Sequence, residues 1–442
     1  MCENSNRKNM KYIADFHIHS KYSRSTSKAI TLEGLDAMAE IKGIDVMATG
    51  DFTHPAWFKE IESKLEKQDN GLLKLKDEYK IQREGANTDS RFRKGNTQFI
   101  LSTEISCIYK KNDICRRVHM VIICSSVERV KKVNEYLTKK GFNLKSDGRP
   151  ILGLDIKELA KIYLEFDDKA IIIPAHIWTP WFALFGSKSG YDSFEEAFED
   201  LSDQIPAIET GLSSDPEMNW RVSQLNNKMI LSNSDAHSLD KLGREANAFD
   251  FEKKEISYKL LHESIFQNKN LAYTIEFYPE EGKYHIDGHS NCNFSCSPEE
   301  TKKHKGLCPK CGKKITVGVT SRVEELADQD SEKQRKKRPP YKSLVPLKEI
   351  LAEINNTKST ASIKINKEYE SLINNLGSEF HILLDAGLET IKEQNFMLSI
   401  AIDKMRKGDI VVKPGYDGVF GVVKIFSDKE REKYNPKQKK LF

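Results

Sequence analysis

Histidine, aspartate and glutamate residues recur at the ends of short apolar runs in the first 275 residues of this 442-residue chain. Imidazole and carboxylate groups together suit Zn²⁺, Mn²⁺ or Fe²⁺. A single histidine in such a place is ordinary, but nine residues within or shortly after the runs indicate a shared metal centre. The nine candidate ligands are His17, His19, Asp51, His54, Glu104, His119, His176, Asp235 and His237.

The ligand set predicts a class of reaction. Two or three divalent metals held close together lower the pKa of a bound water and neutralise the oxygens of a phosphate during its displacement. Little other chemistry is required of the protein. We therefore expect hydrolysis of a phosphoester, and the ligands leave open whether the substrate is a monoester or a diester.

The apolar runs predict the strands that position these ligands. Seven runs alternate with helical patterns, which is typical of a parallel α/β sheet or barrel. One helix is predicted over 32–42, with Thr31 as its N-cap and Gly43 at its end. Barrels of this class carry their chemistry at the carboxyl ends of the strands, where the candidate ligands fall. The runs are residues 12–16, 44–48, 99–105, 118–124, 170–174, 205–208 and 229–231.

Four of the eight cysteines fall within 20 residues, a clustering that indicates a metal site rather than disulfides. Cys308 and Cys311 have the two-residue gap and the following glycine of a zinc knuckle. Two partners remain open, because His289 and Cys292 repeat the two-residue gap whereas Cys296 follows Cys292 after three residues. We expect one structural zinc bound by His289, Cys292, Cys308 and Cys311, with Cys296 as the alternative fourth ligand.

Composition indicates a folded protein with an uneven distribution of charge. Hydrophobic residues make up 38% and charged residues 31% of the chain, and 442 residues exceed one ordinary core. Residues 301–442 carry 29 basic and 19 acidic side chains, a net charge of +10, so residues 1–300 are net −6. A basic C-terminal part of the chain indicates contact with a polyanion. No apolar run reaches the ~18–20 residues of a membrane span and the N-terminus lacks a signal-peptide pattern, so we expect a cytoplasmic protein without a membrane partner.

Changes in composition along the chain predict five segments. The candidate ligands occupy the first segment and the clustered cysteines the second. A charged stretch ending in Arg-Lys-Lys-Arg follows, and then apolar residues recur every three or four positions. The predicted segments are a metal-binding domain at 1–275, a zinc ribbon at 276–320, a basic linker at 321–343, a helical domain with a Gly-rich, β-like end at 344–426, and a flexible tail at 427–442.

The metal-ligand motifs resemble those of the PHP (polymerase and histidinol phosphatase) superfamily. The resemblance implies that the first segment is a distorted (βα)7 barrel with up to three divalent metals, zinc, manganese or magnesium, at its mouth. It is carried by Asp-Phe-His-Ile-His-Ser at 15–20, Thr-Gly-Asp at 49–51, Pro-Ala-His at 174–176, Ser-Asp-Ala-His at 234–237, and by Glu104 and His119.

The same resemblance assigns the ligands to three metals. The third set departs from the pattern of many members, in which the Asp is followed directly by the His, because Phe52 and Thr53 intervene here. The implied sets are His17, His19, Glu104 and Asp235 for the first metal and the catalytic centre; Glu104, His119 and His176 for the second; and Asp51, His54 and His237 for the third.

The order of the segments is similar to that of the endonuclease Q family over nearly the whole chain. This implies a metal-dependent DNA repair endonuclease that hydrolyses the phosphodiester on the 5′ side of deaminated bases (uracil, hypoxanthine, xanthine) and of abasic sites. The alternative is a PHP-type phosphatase of small phosphomonoesters, against which the zinc ribbon and the C-terminal residues argue. Three further stretches carry the resemblance, Pro-Ala-His-Ile-Trp-Thr-Pro-Trp at 174–181, Glu-Thr-Gly-Leu-Ser-Ser-Asp-Pro at 209–216, and Pro-Gly-Tyr-Asp-Gly-Val-Phe-Gly at 414–421.

A nuclease of this kind must hold a nucleotide that is extruded from the duplex. Aromatic side chains offer surfaces for its base, hydroxyl groups offer hydrogen bonds to the base edge, and cationic side chains offer contacts to phosphates. The predicted substrate-binding residues are Trp178, Trp181, Phe182, Trp220, Ser213, Ser214, Lys188 and Arg221.

The last five residues fit the Gln-x-x-Leu-Phe pattern with which bacterial proteins bind the replication sliding clamp. Gln438, Leu441 and Phe442 are the predicted contacts, and the last two are apolar anchors on a Lys-rich tail. We therefore predict damaged DNA and a bacterial sliding clamp as partners, and a nucleoid-associated location in the cytoplasm.

Overall fold

Residues 11–81, 97–251 and 254–434 are described by the computed structural model of the chain. Strands and helices alternate through most of the first part, and helices predominate in the last. The strands are β1 (Lys11–Asp15), β2 (Val46–Ala48), β3 (Leu65–Lys67), β4 (Leu73–Leu75), β5 (Gln98–Lys111), β6 (Ile114–Cys124), β7 (Ile151–Leu152), β8 (Ile171–Pro174), β9 (Ala207–Glu209), β10 (Met229–Leu231), β11 (Ala246–Asp250), β12 (Leu271–Glu276), β13 (Asp287–His289), β14 (Phe294–Cys296), β15 (Tyr341–Ser343), β16 (Val411–Lys413) and β17 (Val422–Lys424). The α-helices are α1 (Leu32–Lys42), α2 (Pro55–Lys64), α3 (Val127–Lys139), α4 (Ile156–Phe166), α5 (Phe194–Phe198), α6 (Pro216–Asn219), α7 (Tyr258–Phe266), α8 (Pro298–Lys303), α9 (Val319–Leu326), α10 (Ser331–Arg335), α11 (Leu347–Ile354), α12 (Ile363–Leu376), α13 (Leu388–Gln394), α14 (Phe396–Arg406) and α15 (Asp428–Tyr434).

Local sequence signals set the ends of the helices near the ligands. The side chain of Thr31 accepts a backbone hydrogen bond at the start of α1, and Gly43 ends the helix in the left-handed region with φ of 85°. Ser126 and Asp155 cap α3 and α4 in the same way as Thr31. The predicted helix at 32–42 is confirmed, because a polar N-cap satisfies free N–H groups and glycine tolerates a positive φ.

Two sheets carry the strands of the first part of the chain. In the larger sheet β1, β2 and β5 pair in parallel, whereas the β5–β6 and β6–β8 pairs are antiparallel. β9 and β10 form a second, parallel sheet. The sheets contact each other at several places: Ile177 N–H, beyond β8, donates to Glu209 O (3.1 Å), and Ile18, beyond β1, bridges to Ala236. The residues that follow β1, β8, β9 and β10 are therefore neighbours.

The fold is mixed α/β rather than wholly parallel, which corrects the predicted sheet. The difference arises because a hairpin, and not a helix, joins β5 to β6, so β6 runs against its neighbours. β2, β8, β9 and β10 are buried along their whole length, as expected for strands covered on both faces.

The stretch 321–343 is folded, which corrects its prediction as a basic linker. It forms most of α9, all of α10, and β15, which pairs in parallel with β12. Arg322 is 7% exposed and donates to the carbonyls of Phe185 and Tyr191, and Arg338 donates to two further carbonyls. These guanidinium groups anchor the stretch on the first part of the chain because each offers several donors to backbone acceptors.

A buried ion pair joins the C-terminal helices to α1. Lys42 Nζ lies 2.7 Å from Glu379 Oε2, and the two side chains are 8% and 4% exposed. Glu379 also accepts hydrogen bonds from Tyr369 OH and Leu347 N–H. A buried carboxylate needs such partners to offset the loss of water. The Gly-rich end of this region, predicted as β-like, contains the antiparallel hairpin of β16 and β17.

Within the described ranges, no helix is long and apolar enough to cross a membrane. The predicted clamp contacts Gln438, Leu441 and Phe442 lie outside the described residues.

Candidate metal centre

A single carboxylate, Glu104 on β5, contacts imidazoles on two sides. It is fully buried. Its Oε2 lies 3.1 Å from His19 Nε2, whereas its Oε1 lies 2.6 Å from His119 Nδ1 and 3.1 Å from His176 Nε2. Pairing of β5 with both β2 and β6 brings Glu104 to this position, since β6 carries His119. Glu104 therefore joins two groups of candidate ligands.

The first group contains His17, His19, Glu104 and Asp235, whose ligand atoms all lie within 4.8 Å of one another. His19 Nε2 approaches Asp235 Oδ1 to 3.1 Å. Neither atom makes a hydrogen bond of acceptable geometry to any described residue, and the same is true of His17 Nε2. Buried polar atoms without a partner are rare in folded proteins. A divalent metal bound by this group would satisfy all three, so the residues fit the metal that the motifs imply.

The second group contains Glu104, His119 and His176. His119 Nδ1 lies 3.3 Å from His176 Nε2. Burial lowers the pKa of His119 to about 4, so its imidazole is neutral at neutral pH. The neutral imidazole is the form that binds a metal. Two histidines and a carboxylate shared with the first group thus fit a second metal.

Two further carboxylates contact the Nδ1 atoms of the two histidines in the first group. Glu209, at the end of β9, lies 3.0 Å from His17 Nδ1, and Asp51 Oδ1 lies 3.1 Å from His19 Nδ1. Such contacts fix the tautomer with a proton on Nδ1 and leave Nε2 for a metal. Glu209 is absent from the predicted set, although it directly follows the run 205–208, the signal that the predicted ligands share.

Asp51 supports His19 instead of joining a third group of ligands. Its second oxygen, Oδ2, accepts hydrogen bonds from Ser20 N–H at 2.6 Å and from Ser23 Oγ–H at 2.8 Å. Both carboxylate oxygens are therefore engaged within the protein. This placement differs from the prediction that Asp51 binds a third metal.

His54 and His237, the other ligands predicted for a third metal, do not complete a group with Asp51. Two intervening residues place His54 directly before α2, where its ring stacks on Tyr22 with 4.4 Å between ring centres. His237 Nδ1 lies 2.9 Å from the carbonyl oxygen of Asp235. In the described part of the chain, no cluster of three candidate ligand atoms includes either histidine.

Three residues at the centre have backbone conformations that L-residues rarely adopt. The φ angle is 47° at Asp51, 31° at His176 and 44° at Asp235. Gly211 packs against His176, and a Cβ at this glycine would lie 2.3 Å from the His176 Cβ. Left-handed conformations of this kind cost on the order of 1–3 kcal/mol each and cluster at functional sites. The surrounding contacts must therefore hold these three residues in place.

A cation from the loop before β7 also reaches the centre. Arg149 Nη1 lies 3.0 Å from Glu104 Oε2. Arg149 is not among the predicted site residues, because it belongs to no motif and follows no apolar run in the sequence. Only the path of the folded loop brings it to the ligands.

Of the four aromatic residues predicted to bind substrate, one lies beside the second ligand group and one is exposed. The ring centre of Phe182 is 4.9 Å from that of His119, and the neighbouring Trp181 is 43% exposed. Trp178 and Trp220 are only 1% and 2% exposed. Their predicted contact with a base is corrected, because large rings in the core stabilise the fold by burial and offer no face to a ligand.

Some of the polar residues predicted to contact substrate are also accessible to solvent, whereas others are not. Lys188 is exposed and Ser213 is partly buried, so both can be reached from solvent. Ser214 is fully buried and donates its Oγ–H to a backbone carbonyl. Arg221 forms an ion pair with Glu324. The prediction for Ser214 is corrected, since its hydroxyl is buried and donates inside the protein, whereas the contact predicted for Arg221 stays a prediction.

The cysteine cluster forms a separate candidate metal site. A chelating group of one imidazole and three thiols fits a structural zinc. Cys296 stands outside the group, with its Sγ 3.2 Å from Thr301 Oγ1. The ligand atoms that lie within 4.8 Å of one another belong to His289, Cys292, Cys308 and Cys311.

Comparison with known sequences gives three matches. A family model described as the MJ0043 C-terminal domain matches residues 346–409. Uncharacterized protein MJ0043 of Methanocaldococcus jannaschii is 33% identical over 252 residues, 56% of this chain and 31% of that protein, so the chain spans about a third of its length. Uncharacterized protein YqxK of Bacillus subtilis (strain 168) is 28% identical over 426 residues, 94% of this chain and 99% of that protein.

Two solved structures are similar to almost the whole chain. The crystal structure of the lesion-specific endonuclease PfuEndoQ from Pyrococcus furiosus superposes with a TM-score of 0.80 at 29% identity, covering 96% of this chain and 99% of that one. An endonuclease Q in complex with a 27-mer duplex that has an abasic lesion at the active site gives 0.79 at 31% identity, covering 95% and 98%. The resemblance found in the motifs is thereby confirmed, and the chain belongs to the endonuclease Q family of hydrolytic enzymes.

Proposed function

We propose that this protein is a metal-dependent DNA endonuclease that starts repair by hydrolysing the phosphodiester on the 5′ side of a damaged nucleotide. The damage would be a deaminated base (uracil, hypoxanthine or xanthine) or an abasic site. The observation that carries the proposal is Glu104, which contacts two groups of metal ligands. It is supported by likeness over nearly the full chain to an endonuclease Q solved with an abasic duplex.

The first group would bind one divalent metal, zinc, manganese or magnesium, and the second group another. Metals bound there would supply a nucleophilic water at neutral pH and offset the charge of the phosphate. His17, His19, Glu104 and Asp235 would be the catalytic residues. Glu209 and Asp51 would orient the two histidines, as the carboxylates behind metal-binding imidazoles do in other proteins.

The architecture proposed for this activity follows the segments expected from composition. β1, β2, β5, β6, β8, β9 and β10 would correspond to the seven strands of a distorted PHP barrel within 1–275, with its mouth at the ligands. The cysteine cluster would hold one structural zinc in a ribbon at 276–320, and 344–426 would form the helical domain.

The proposed substrate contacts include Phe182, whose ring packs against His119 of the second ligand group. Trp181 and Phe182 would stack on an extruded nucleotide, because aromatic faces bind any base without reading its sequence. Ser213 would offer a hydrogen bond to the edge of the base, and Lys188 would contact a phosphate of the DNA backbone. Trp181 is the best placed of these, since it combines 43% exposure with a position next to Phe182.

Two partners are proposed, damaged DNA and a bacterial replication sliding clamp. The clamp would be bound by Gln438, Leu441 and Phe442 in the tail. This partnership would hold the enzyme near replicating DNA in the nucleoid. Its support is the sequence pattern of the last five residues.

Cleavage of defined duplexes tests the proposal. Labelled duplexes with one abasic site, one uracil, one hypoxanthine or no damage would be incubated with the protein in Mg²⁺, Mn²⁺ or Zn²⁺. We expect one nick on the 5′ side of the damage and none in the undamaged duplex. Equal cleavage of the undamaged duplex, or no cleavage in any metal, would contradict the proposal. Turnover of a small phosphomonoester without nicking would favour the phosphatase alternative.

A further inference from the structure

Arg149 extends from the surface to the centre of the ligand cluster. Its Nη1 lies 3.0 Å from Glu104 Oε2, the oxygen that also faces His19. The Arg149 side chain keeps 29% of its surface exposed, whereas Glu104 is fully buried. The side chain therefore reaches the ligand cluster while part of it stays exposed to solvent.

The loop that carries Arg149 is fixed against the site. Asp147 Oδ1 accepts hydrogen bonds from the backbone N–H of Arg149 (3.1 Å) and of Arg24 (3.3 Å). Gly148 N–H donates to Tyr22 O (3.1 Å), and a Cβ at this glycine would lie 2.2 Å from an oxygen of Asp51. The loop thus packs directly on the residues that support the ligands, which places the guanidinium before any substrate arrives.

Most donors of Arg149 remain available. A guanidinium has five N–H groups, and in the described ranges that of Arg149 makes one hydrogen bond, to Glu104. Arg244, the other arginine at the centre, uses Nε and Nη2 on the carbonyls of Ser234 and Asp235. Arg149 therefore contacts a candidate ligand directly and still has free donors, and its fork matches the oxygens of a phosphate.

We propose that Arg149 is a catalytic residue that binds a non-bridging oxygen of the scissile phosphate and stabilises the negative charge of the transition state. This inference rests on the proposed endonuclease function. In the hydrolysis the oxygen of water bonds to phosphorus, one bridging P–O bond breaks, and the departing oxygen takes up a proton that the water loses. Arg149 gains and loses no proton, because its contribution is electrostatic.

The first test is a set of variants assayed on the abasic duplex. Arg149→Ala should lower the single-turnover rate by about 10²–10³-fold, the effect of removing one donor to a developing charge. The single-turnover rate of Arg149→Lys should lie between those of Arg149→Ala and wild type, because lysine keeps the positive charge but lacks the paired donors of the guanidinium. Arg24, an exposed residue that also contacts Asp147, provides the control. The single-turnover rate of Arg24→Ala should stay within about threefold of wild type. Bound metal and the melting temperature of all three variants should equal those of wild type.

The second test removes the proposed contact from the substrate. One non-bridging oxygen of the scissile phosphate would be replaced by methyl, in each stereochemical form. On one form Arg149→Ala should slow cleavage less than about fivefold, because the oxygen it binds is already absent. Slowing by the same large factor on the phosphate and on both methyl forms would overturn the inference, as would loss of metal from Arg149→Ala.

The two proposals fail in distinguishable ways. If wild type nicks the abasic duplex and Arg149→Ala nicks it equally fast, the role of Arg149 is wrong and the endonuclease function stands. If wild type nicks no damaged duplex in any metal, both are wrong.

Discussion

Glu104 and Asp235 stay anionic in an interior that disfavours charge. Burial alone would raise the pKa of each carboxyl, but the neighbouring imidazoles, chiefly His119 for Glu104 and His19 for Asp235, outweigh burial and lower both pKa values. In turn the carboxylates raise the pKa of His17 and His19, which burial alone would lower. Two carboxylates that resist protonation among imidazoles are the ligands that a divalent cation requires.

Glu209 should matter for activity although it lies behind the ligands. It accepts hydrogen bonds from His176 N–H and Asn233 Nδ2–H as well as from His17, so an amide NH₂ in its place would face a donor. Glu209→Gln should lower the nicking rate or metal affinity by about 10–100-fold. Metal titration followed by nicking would measure both quantities. The exposed Glu165 offers a control, and equal activity of Glu209→Gln and Glu165→Gln would rule out the orienting role.

Burial also makes stability depend on pH at Glu276. This fully buried carboxyl on β12 accepts hydrogen bonds from Ser232 and Thr274, and burial raises its pKa from 4.5 to about 8. Between these values the folded chain holds a proton that the unfolded chain releases, so the free energy of unfolding falls as pH rises. Melting temperatures between about pH 5 and about pH 8.5 should therefore decline less in Glu276→Gln than in wild type. Identical slopes would contradict this account.

For helices and strands, the sequence predicts correctly those features that depend on neighbouring residues. It fails for features that depend on contacts with residues distant in the sequence. The α1 helix follows from Thr31 and Gly43, because caps act within one turn of the backbone. The position of Arg149 and the burial of Trp178 depend on how distant segments pack, which apolar spacing does not encode. The stretch 321–343 is charged like a linker, yet Arg322 meets carbonyls more than 130 residues away in sequence.

The candidate site shows the same division. Seven of the nine predicted ligands follow apolar runs and two, Glu104 and His119, lie within runs. Glu104 and five of the others come together because neighbouring strands converge. Asp51 also lies there, but its hydrogen bonds turn it into a support for His19. A histidine or carboxylate near a strand end is therefore predicted correctly to lie near the metal centre. Whether its side chain binds the metal or supports another ligand depends on three-dimensional packing.

The cysteine cluster gives a prediction for one element of the chain. His289→Ala should lose about one zinc per chain, because a closed structural site needs all four ligands. Cys296→Ala should retain that zinc, since its Sγ contacts Thr301 and lies outside the ligand group. Metal analysis of the two purified variants would measure this. Loss of zinc from Cys296→Ala with retention in His289→Ala would reverse the assignment of the fourth ligand.

For the molecule as a whole, the basic charge of the C-terminal part is divided between structure and surface. Residues 301–442 are net +10, but Arg322, Arg338 and Arg406 donate to backbone carbonyls inside the fold. Positive charge left for a polyanion must therefore come largely from lysines.

The tail should act independently of the catalytic centre. Truncation after Lys437 removes Gln438, Leu441 and Phe442 and should abolish binding to an immobilised bacterial sliding clamp while leaving nicking of the abasic duplex unchanged. The double variant Lys439→Ala, Lys440→Ala keeps both apolar anchors and should still bind. Clamp binding that survives the truncation would refute the docking role.

The central claim, that the ligand group around Glu104 hydrolyses DNA beside a lesion, is tested most directly by one comparison. A labelled duplex with a single abasic site would be incubated with wild type and with Asp235→Asn in the same divalent metal. Wild type should give one nick on the 5′ side of the site, and Asp235→Asn should be slower by at least about 100-fold. Nicking at the same rate by both proteins would contradict the account.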